Sequence, residues 1–69
     1  MSAYKLNSRQ IKKLKKKYYK IKKSDPSIAN RILIVLALGR GQSASLVADM
    51  FLIDSDTVRR YFRLYQEGG

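Results

Sequence analysis

The segment from Pro26 to Gly39 constrains the fold more than any other part of the chain. It holds seven consecutive apolar residues, Ile32 to Leu38. At helical spacing Ile28, Ala29, Ile32, Leu33, Val35, Leu36 and Leu38 wrap most of a circumference, leaving Asn30 and Arg31 to mark an outer side. A helix of that kind is stable only at the centre, with the rest of the chain arranged around it. Its ends are encoded locally. Asp25-Pro26 supplies a capping acceptor and a first helical residue that needs no amide, and Gly39-Arg40-Gly41 supplies glycines for the left-handed conformation that closes a helix after about Leu38. The run falls far short of the ~20 residues that span a bilayer.

Three further helices are predicted. The first starts near Ser8, whose hydroxyl can cap it, and reaches about Lys22. Ile11, Leu14, Tyr18 and Ile21 recur at spacings of three and four and give it one narrow apolar stripe. Ser43 can cap a short third helix through about Phe51, with Leu46, Val47, Met50 and Phe51 as its apolar set. Asp54 or Ser55 can cap a fourth, to about Gln66, with Val58, Tyr61, Phe62 and Tyr65 turned inward. The expectation is an all-α bundle of about four helices in a single domain, 1–69, with an amino-terminal arm at 1–7 and a flexible end at 68–69. At 69 residues such a domain buries only about 60% of its unfolded surface and needs every apolar side chain it has.

Charge separates sharply along the chain. Residues 1–23 carry ten of the fifteen Lys and Arg and no acid, while the remainder balances five basic against five acidic residues. An excess this lopsided points to a polyanion, nucleic acid or an anionic membrane surface; the plainer reading is a solvated lysine face. Like charges at i and i+4, Lys12 with Lys16 and Lys13 with Lys17, each oppose folding by a few tenths of a kcal/mol, which an anion would relieve. Without Cys or His there is no disulfide, zinc finger, thiolate nucleophile or imidazole base. No apolar signal core opens the sequence, so the expectation is a soluble, cytoplasmic protein.

Residues 43–67 carry the pattern of a helix-turn-helix. Two short helices joined by a tight turn need a small residue where their backbones meet and apolar residues at fixed offsets. Ala48 is the small residue, Val47 and Phe51 face inward, Ile53 plugs the turn, and Val58 follows ten positions after Ala48. Leu52 stands where such turns usually have Gly, which predicts a longer or differently shaped turn.

The stretch from Gly41 to Gly69 resembles the amino-terminal helix-turn-helix, homeodomain-like domains of mariner-related bacterial insertion-sequence transposases. The matching residues are Ser43, Val47 and Ala48, then Ile53, Asp54, Thr57, Val58, Arg60 and Tyr61, and finally Tyr65, Glu67, Gly68 and Gly69. Upstream, Tyr4-Lys5-Leu6 and Asp25-Pro26 with Ala29, Arg31 and Ile32 extend the likeness over nearly the whole chain. Leu52, Asp54 in place of Ser and Tyr61 in place of Trp depart from it. The resemblance implies recognition or regulation of double-stranded DNA, with the fourth helix in the major groove, on a prokaryotic nucleoid.

In that setting Ser55, Asp56, Arg59 and Arg63 are the candidate base contacts. Arg59 leads because a guanidinium grips guanine at two atoms, a contact worth roughly 1 to 3 kcal/mol of discrimination. Asp54 and Asp56 also suit the positive end of a helix dipole, and capping is the expectation for Asp54. The candidate phosphate contacts are Ser43, Thr57 and Arg60, with Lys12, Lys13, Lys16, Lys20 and Arg40; an internal pair is the alternative for Arg60. Tyr18 lies on the apolar stripe, whereas Tyr19 is free to stack on an unpaired base.

No enzyme, cofactor, metal or small-molecule substrate is expected, since each of the five acids falls at a cap or on a helix surface and no second domain builds a cleft. The alternative function is that of an RNA-binding or ribosome-associated basic protein, because phosphate attraction does not distinguish the polymers. Membrane association ranks last, the first helix having no Trp, no Phe and no broad apolar face. A homodimer would set two recognition helices on successive turns of the groove, with Phe62 or Leu64 as its contact.

Overall fold

The computed structural model of the chain describes residues 4–68. Within them lie four helices, α1 (Ser8–Ile21), α2 (Pro26–Gly39), α3 (Ala44–Phe51) and α4 (Ser55–Gln66), and no strand. The all-α bundle is the predicted one, and its boundaries follow from local chemistry. Asn7, not Ser8, caps α1. Its side chain accepts from the Gln10 amide at 2.8 Å while the Gln10 side chain accepts from the Asn7 amide at 3.0 Å, so two unpaired donors are satisfied reciprocally. Ser8 has no such partner at its third following position and becomes the first helical residue. Asp25 caps α2 through the Ile28 amide, with Pro26 at the first position, and Ser43 caps α3 through the Leu46 amide, both as expected.

The carboxyl end of α2 differs from expectation in a way that matters for packing. Gly41, at φ +101°, takes the left-handed conformation; the Gly41 amide donates to the Leu38 carbonyl and the Gln42 amide to that of Ala37, a Schellman closure. Gly39 stays helical and buried because Leu6 lies against it, with the Leu6 amide donating to the Gly39 carbonyl at 3.0 Å. A β-carbon at Gly39 would land on the Leu6 side chain. Beside it, the Tyr4 ring meets Phe62 edge-on, centroids 5.4 Å apart. Residues 4–7 of the predicted arm are therefore a strap that ties the start of α1 to α2 and α4. Residues 1–3 and Gly69, the rest of the arm and of the flexible end, lie outside the described residues; Gly68 closes α4 through a bond to the Tyr65 carbonyl.

Helix α2 packs against all three other helices, α3 and α4 pack on each other, and α1 packs directly on α2 alone. Ile32, Ile34, Val35, Leu36 and Leu38 meet Leu14 from α1, Val47 and Ala48 from α3, and Val58 and Phe62 from α4. Among the described residues no polar or charged side chain is buried. Three expectations about apolar residues are corrected. Phe62 is fully buried at the centre and is unavailable as a dimer contact, although Leu64 is exposed. Leu46 and Met50 are exposed, because the inner arc of a two-turn helix is already filled by Val47, Ala48 and Phe51. Ile28, in the first turn of α2, also stays at the surface.

Between α3 and α4 the turn keeps the usual shape despite its residue. Leu52 sits at φ 57°, ψ 45°, left-handed, and the Ile53 amide donates to the Ala48 carbonyl at 3.0 Å. The expectation of a longer turn is thus overturned: Leu52 adopts the conformation that Gly would, with its side chain 92% exposed and clear of the core. Such a conformation costs a residue with a β-carbon about 1–2 kcal/mol, and Ala48, Val58 and the closing hydrogen bonds impose it.

Two stability measurements test this packing. Gly39→Ala should lower stability by about 1–3 kcal/mol through overpacking, despite the ~1 kcal/mol that Ala gains over Gly in a free helix. In a Leu6→Ala background the same change should cost nothing, and a thermal double-mutant cycle reads the difference. Leu52→Gly should raise stability by about 0.5–1 kcal/mol, the relieved strain less the added entropy of the unfolded chain, seen as a higher midpoint by circular dichroism.

Candidate nucleic-acid interface

Helix α4 turns Val58 and Phe62 into the core, with Tyr61 and Tyr65 half-buried beside them. At about 100° per residue, the four predicted base contacts Ser55, Asp56, Arg59 and Arg63 fall on one strip of the remaining surface. Arg60 lies next to that strip, exposed, with no ion pair among the described residues. Thr57 does not join it: it is half-buried and shares the opposite flank with Tyr61 and Leu64.

Arg59 is held in place. Its guanidinium bonds the Asp56 carboxylate at 2.9 Å and reaches the Ser55 hydroxyl at 3.5 Å, the single ion pair among the described residues. An exposed pair one turn apart contributes little to stability, but it orients a flexible arginine and lowers the local positive charge. Asp54, expected to cap α4 through its side chain, does so only with its backbone: the carboxylate makes no capping bond, while the carbonyl accepts from the Val58 amide at 3.2 Å.

The lysines of α1 sort by the same geometry. Lys12, Lys13, Lys16 and Lys20 form the outward face together with Arg9, whose place there follows from the same spacing although it is not among the candidates named from the sequence. All are exposed. Ser43 has its oxygen engaged as the cap of α3, leaving its hydroxyl hydrogen free to donate. Arg40, at the end of α2, is exposed.

Because α1 rests on α2 alone, an open groove runs along each of its sides. One, of about 590 Å³, separates α1 from α3 and is edged by Lys15 and Arg40. The other, of about 430 Å³, separates α1 from α4, with Ile28 and Leu64 in its wall and Lys17 and Arg31 at its edge. The Arg31 guanidinium carbon stands 5.2 Å from the Tyr61 ring centroid. Tyr18 belongs to the core margin, and Tyr19 is exposed, as their spacing implied.

No group of His, Cys, Asp or Glu that could hold a metal ion occurs among the described residues. No helix there is long and apolar enough to cross a membrane. Comparison of the chain with protein-family models, with curated proteins and with solved structures finds no match in any of the three.

The Asp56–Arg59 pair yields a prediction. Asp56→Ala removes a carboxylate from the strip and releases Arg59, so affinity for a random duplex should rise several-fold while discrimination among duplex sequences falls. Competition anisotropy with specific and random duplexes reads both quantities.

Proposed function

We propose that this chain is a double-stranded DNA-binding module of transposase or regulator type that reads sequence with α4 and carries out no catalysis itself. The observation that carries the reading is the α3–turn–α4 unit. A left-handed Leu52, the bond from Ile53 to Ala48 and buried Val58 fix α4, whose outer strip bears Arg59 and Arg63 with Arg60 beside it. On this reading Arg59, oriented by Asp56, and Arg63 meet base edges with Ser55, while Arg60 and the Ser43 hydroxyl contact phosphate. The outward lysines of α1 add sequence-independent attraction. Thr57 is better assigned to packing than to phosphate, being half-buried on the other flank. Such a protein would act on the nucleoid of a prokaryotic cytoplasm, and Leu64 is the residue through which two copies would meet.

The absence of catalysis is supported by the scatter of the acids. Asp25 is occupied as the cap of α2 and Asp56 by Arg59, and the other three acids, Asp49, Asp54 and Glu67, belong to no cluster among the described residues that could hold a magnesium ion over a phosphate. Magnesium-dependent cleavage of DNA by the isolated chain would overturn this.

The test is fluorescence anisotropy of a labelled duplex across a salt series, comparing the wild type with a variant carrying Arg59→Ala, Arg60→Ala and Arg63→Ala. All three side chains lie outside the core, so the fold should survive, which circular dichroism checks. Affinity should fall, and the slope of log K against log salt should become shallower by about 0.9 for each phosphate that is no longer neutralised. Equal binding by both proteins would assign the polymer to α1 and remove α4 as the reader; tighter binding of a structured RNA at matched salt would replace DNA as the ligand.

A further inference from the structure

The groove between α1 and α3 contains no residue of α4, so it stands apart from the strip assigned to DNA. Its floor is aliphatic and aromatic, with Leu33 and Phe51 half-buried in it, and its walls hold two side chains that packing leaves uncovered, Tyr19 at 66% exposure and Met50 at 59%. Leu46, one helical turn before Met50, continues the apolar surface along α3 and is also exposed. Exposed as they are, these side chains add little to the domain's own core. Lys15 and Arg40 edge the groove, and Lys22 stands 5.1 Å from the Tyr19 ring. Asp49, the one acid of α3, is not among the lining residues.

We infer that this groove docks an acidic amphipathic helix of a partner protein, its apolar stripe on Leu33, Phe51 and Met50 and its carboxylates toward Lys15, Arg40 and Lys22. An exposed apolar trough with methionine in its wall suits a helix presenting residues at i, i+3, i+4 and i+7. The charged rim selects among such helices. A second copy of the chain is disfavoured in this groove, because none of the four helices carries more than one carboxylate to set against Lys15, Arg40 and Lys22. An unpaired nucleic-acid base is disfavoured too: the floor is largely aliphatic, and the exposed ring of Tyr19 is already faced by Lys22 and met edge-on by Tyr18. The partner and DNA would then be held on different surfaces at once. The inference does not rest on the DNA reading: of the groove's residues only Arg40 is also a candidate phosphate contact, and the variants tested leave it intact.

The probe is a fluorescein-labelled synthetic peptide of about four helical turns, with Leu and Phe at i, i+3, i+4 and i+7 and Glu elsewhere, titrated with the full chain. The controls are a scrambled peptide of equal charge and a version with Lys in place of Glu. Saturable binding is expected for the acidic stripe, at least about tenfold weaker binding for the scramble, and none for the Lys version. Met50→Ser and Tyr19→Ser, both at exposed positions, should each weaken the peptide by about tenfold, the effect of one truncated interface anchor, and leave duplex affinity unchanged. Lys15→Glu should weaken the acidic peptide and admit the Lys version. No saturable binding, equal binding of the scramble, or variants without effect would overturn the inference. So would a concentration-dependent dimer abolished by Met50→Ser, or displacement of the peptide by an oligothymidine strand that quenches Tyr19.

Discussion

The structure depends on covering one apolar cylinder. Helix α2 presents hydrocarbon on nearly every side, and among the described residues three other helices and a short strap remove it from water. Each does so at a different contact. Helices α3 and α4 act as one unit, locked to each other and to α2 through Val47, Val58 and Phe62, the largest side chains sealed completely from solvent. The strap covers the carboxyl end of α2, where Gly39 leaves room for Leu6. Helix α1 covers what remains, but along a single line of contact.

That asymmetry accounts for both surfaces. The α3–α4 unit is held from two directions, so it can tolerate a left-handed leucine in its turn and still hold α4 in one orientation; a strained turn persists only where its surroundings determine it. The proposed reading of DNA by α4 would draw on that rigidity. Helix α1 is the opposite case. With one apolar stripe and an outward face of like charges, it packs on α2 without closing onto α3 or α4, and the two grooves follow. Surface carrying Tyr19, Met50 and Leu64 stays open because α1 lacks a second apolar face with which to cover it.

Much of this was legible from the residues. The central helix announced itself by hydrophobicity around its whole circumference, the caps at Asp25 and Ser43 by short-range chemistry, and the α3–α4 unit by the ten-residue interval from Ala48 to Val58. The grouping of Ser55, Asp56, Arg59 and Arg63 followed from helical periodicity. Less legible were features set by contacts between distant segments. Leu6 and Tyr4 read as an arm because three residues show no periodicity. Gly39 read as a helix stop because glycine composition alone does not separate a left-handed closure from a close approach. Leu46 and Met50 read as core because apolar character does not reveal whether a two-turn helix has already filled its inner arc.

The sequence by itself determined which segments are helical, where each begins and which stripe of each is apolar, since these depend on interactions within four or five residues of chain. Tertiary structure decided which apolar residues remained uncovered, which glycine gave room and which gave a turn, and that Arg59 is held by Asp56 while Arg60 has no charged partner among the described residues. Those outcomes depend on how far rigid cylinders of fixed diameter can close around one another, and a chain with a single broad apolar helix and a narrow-striped partner cannot close them completely.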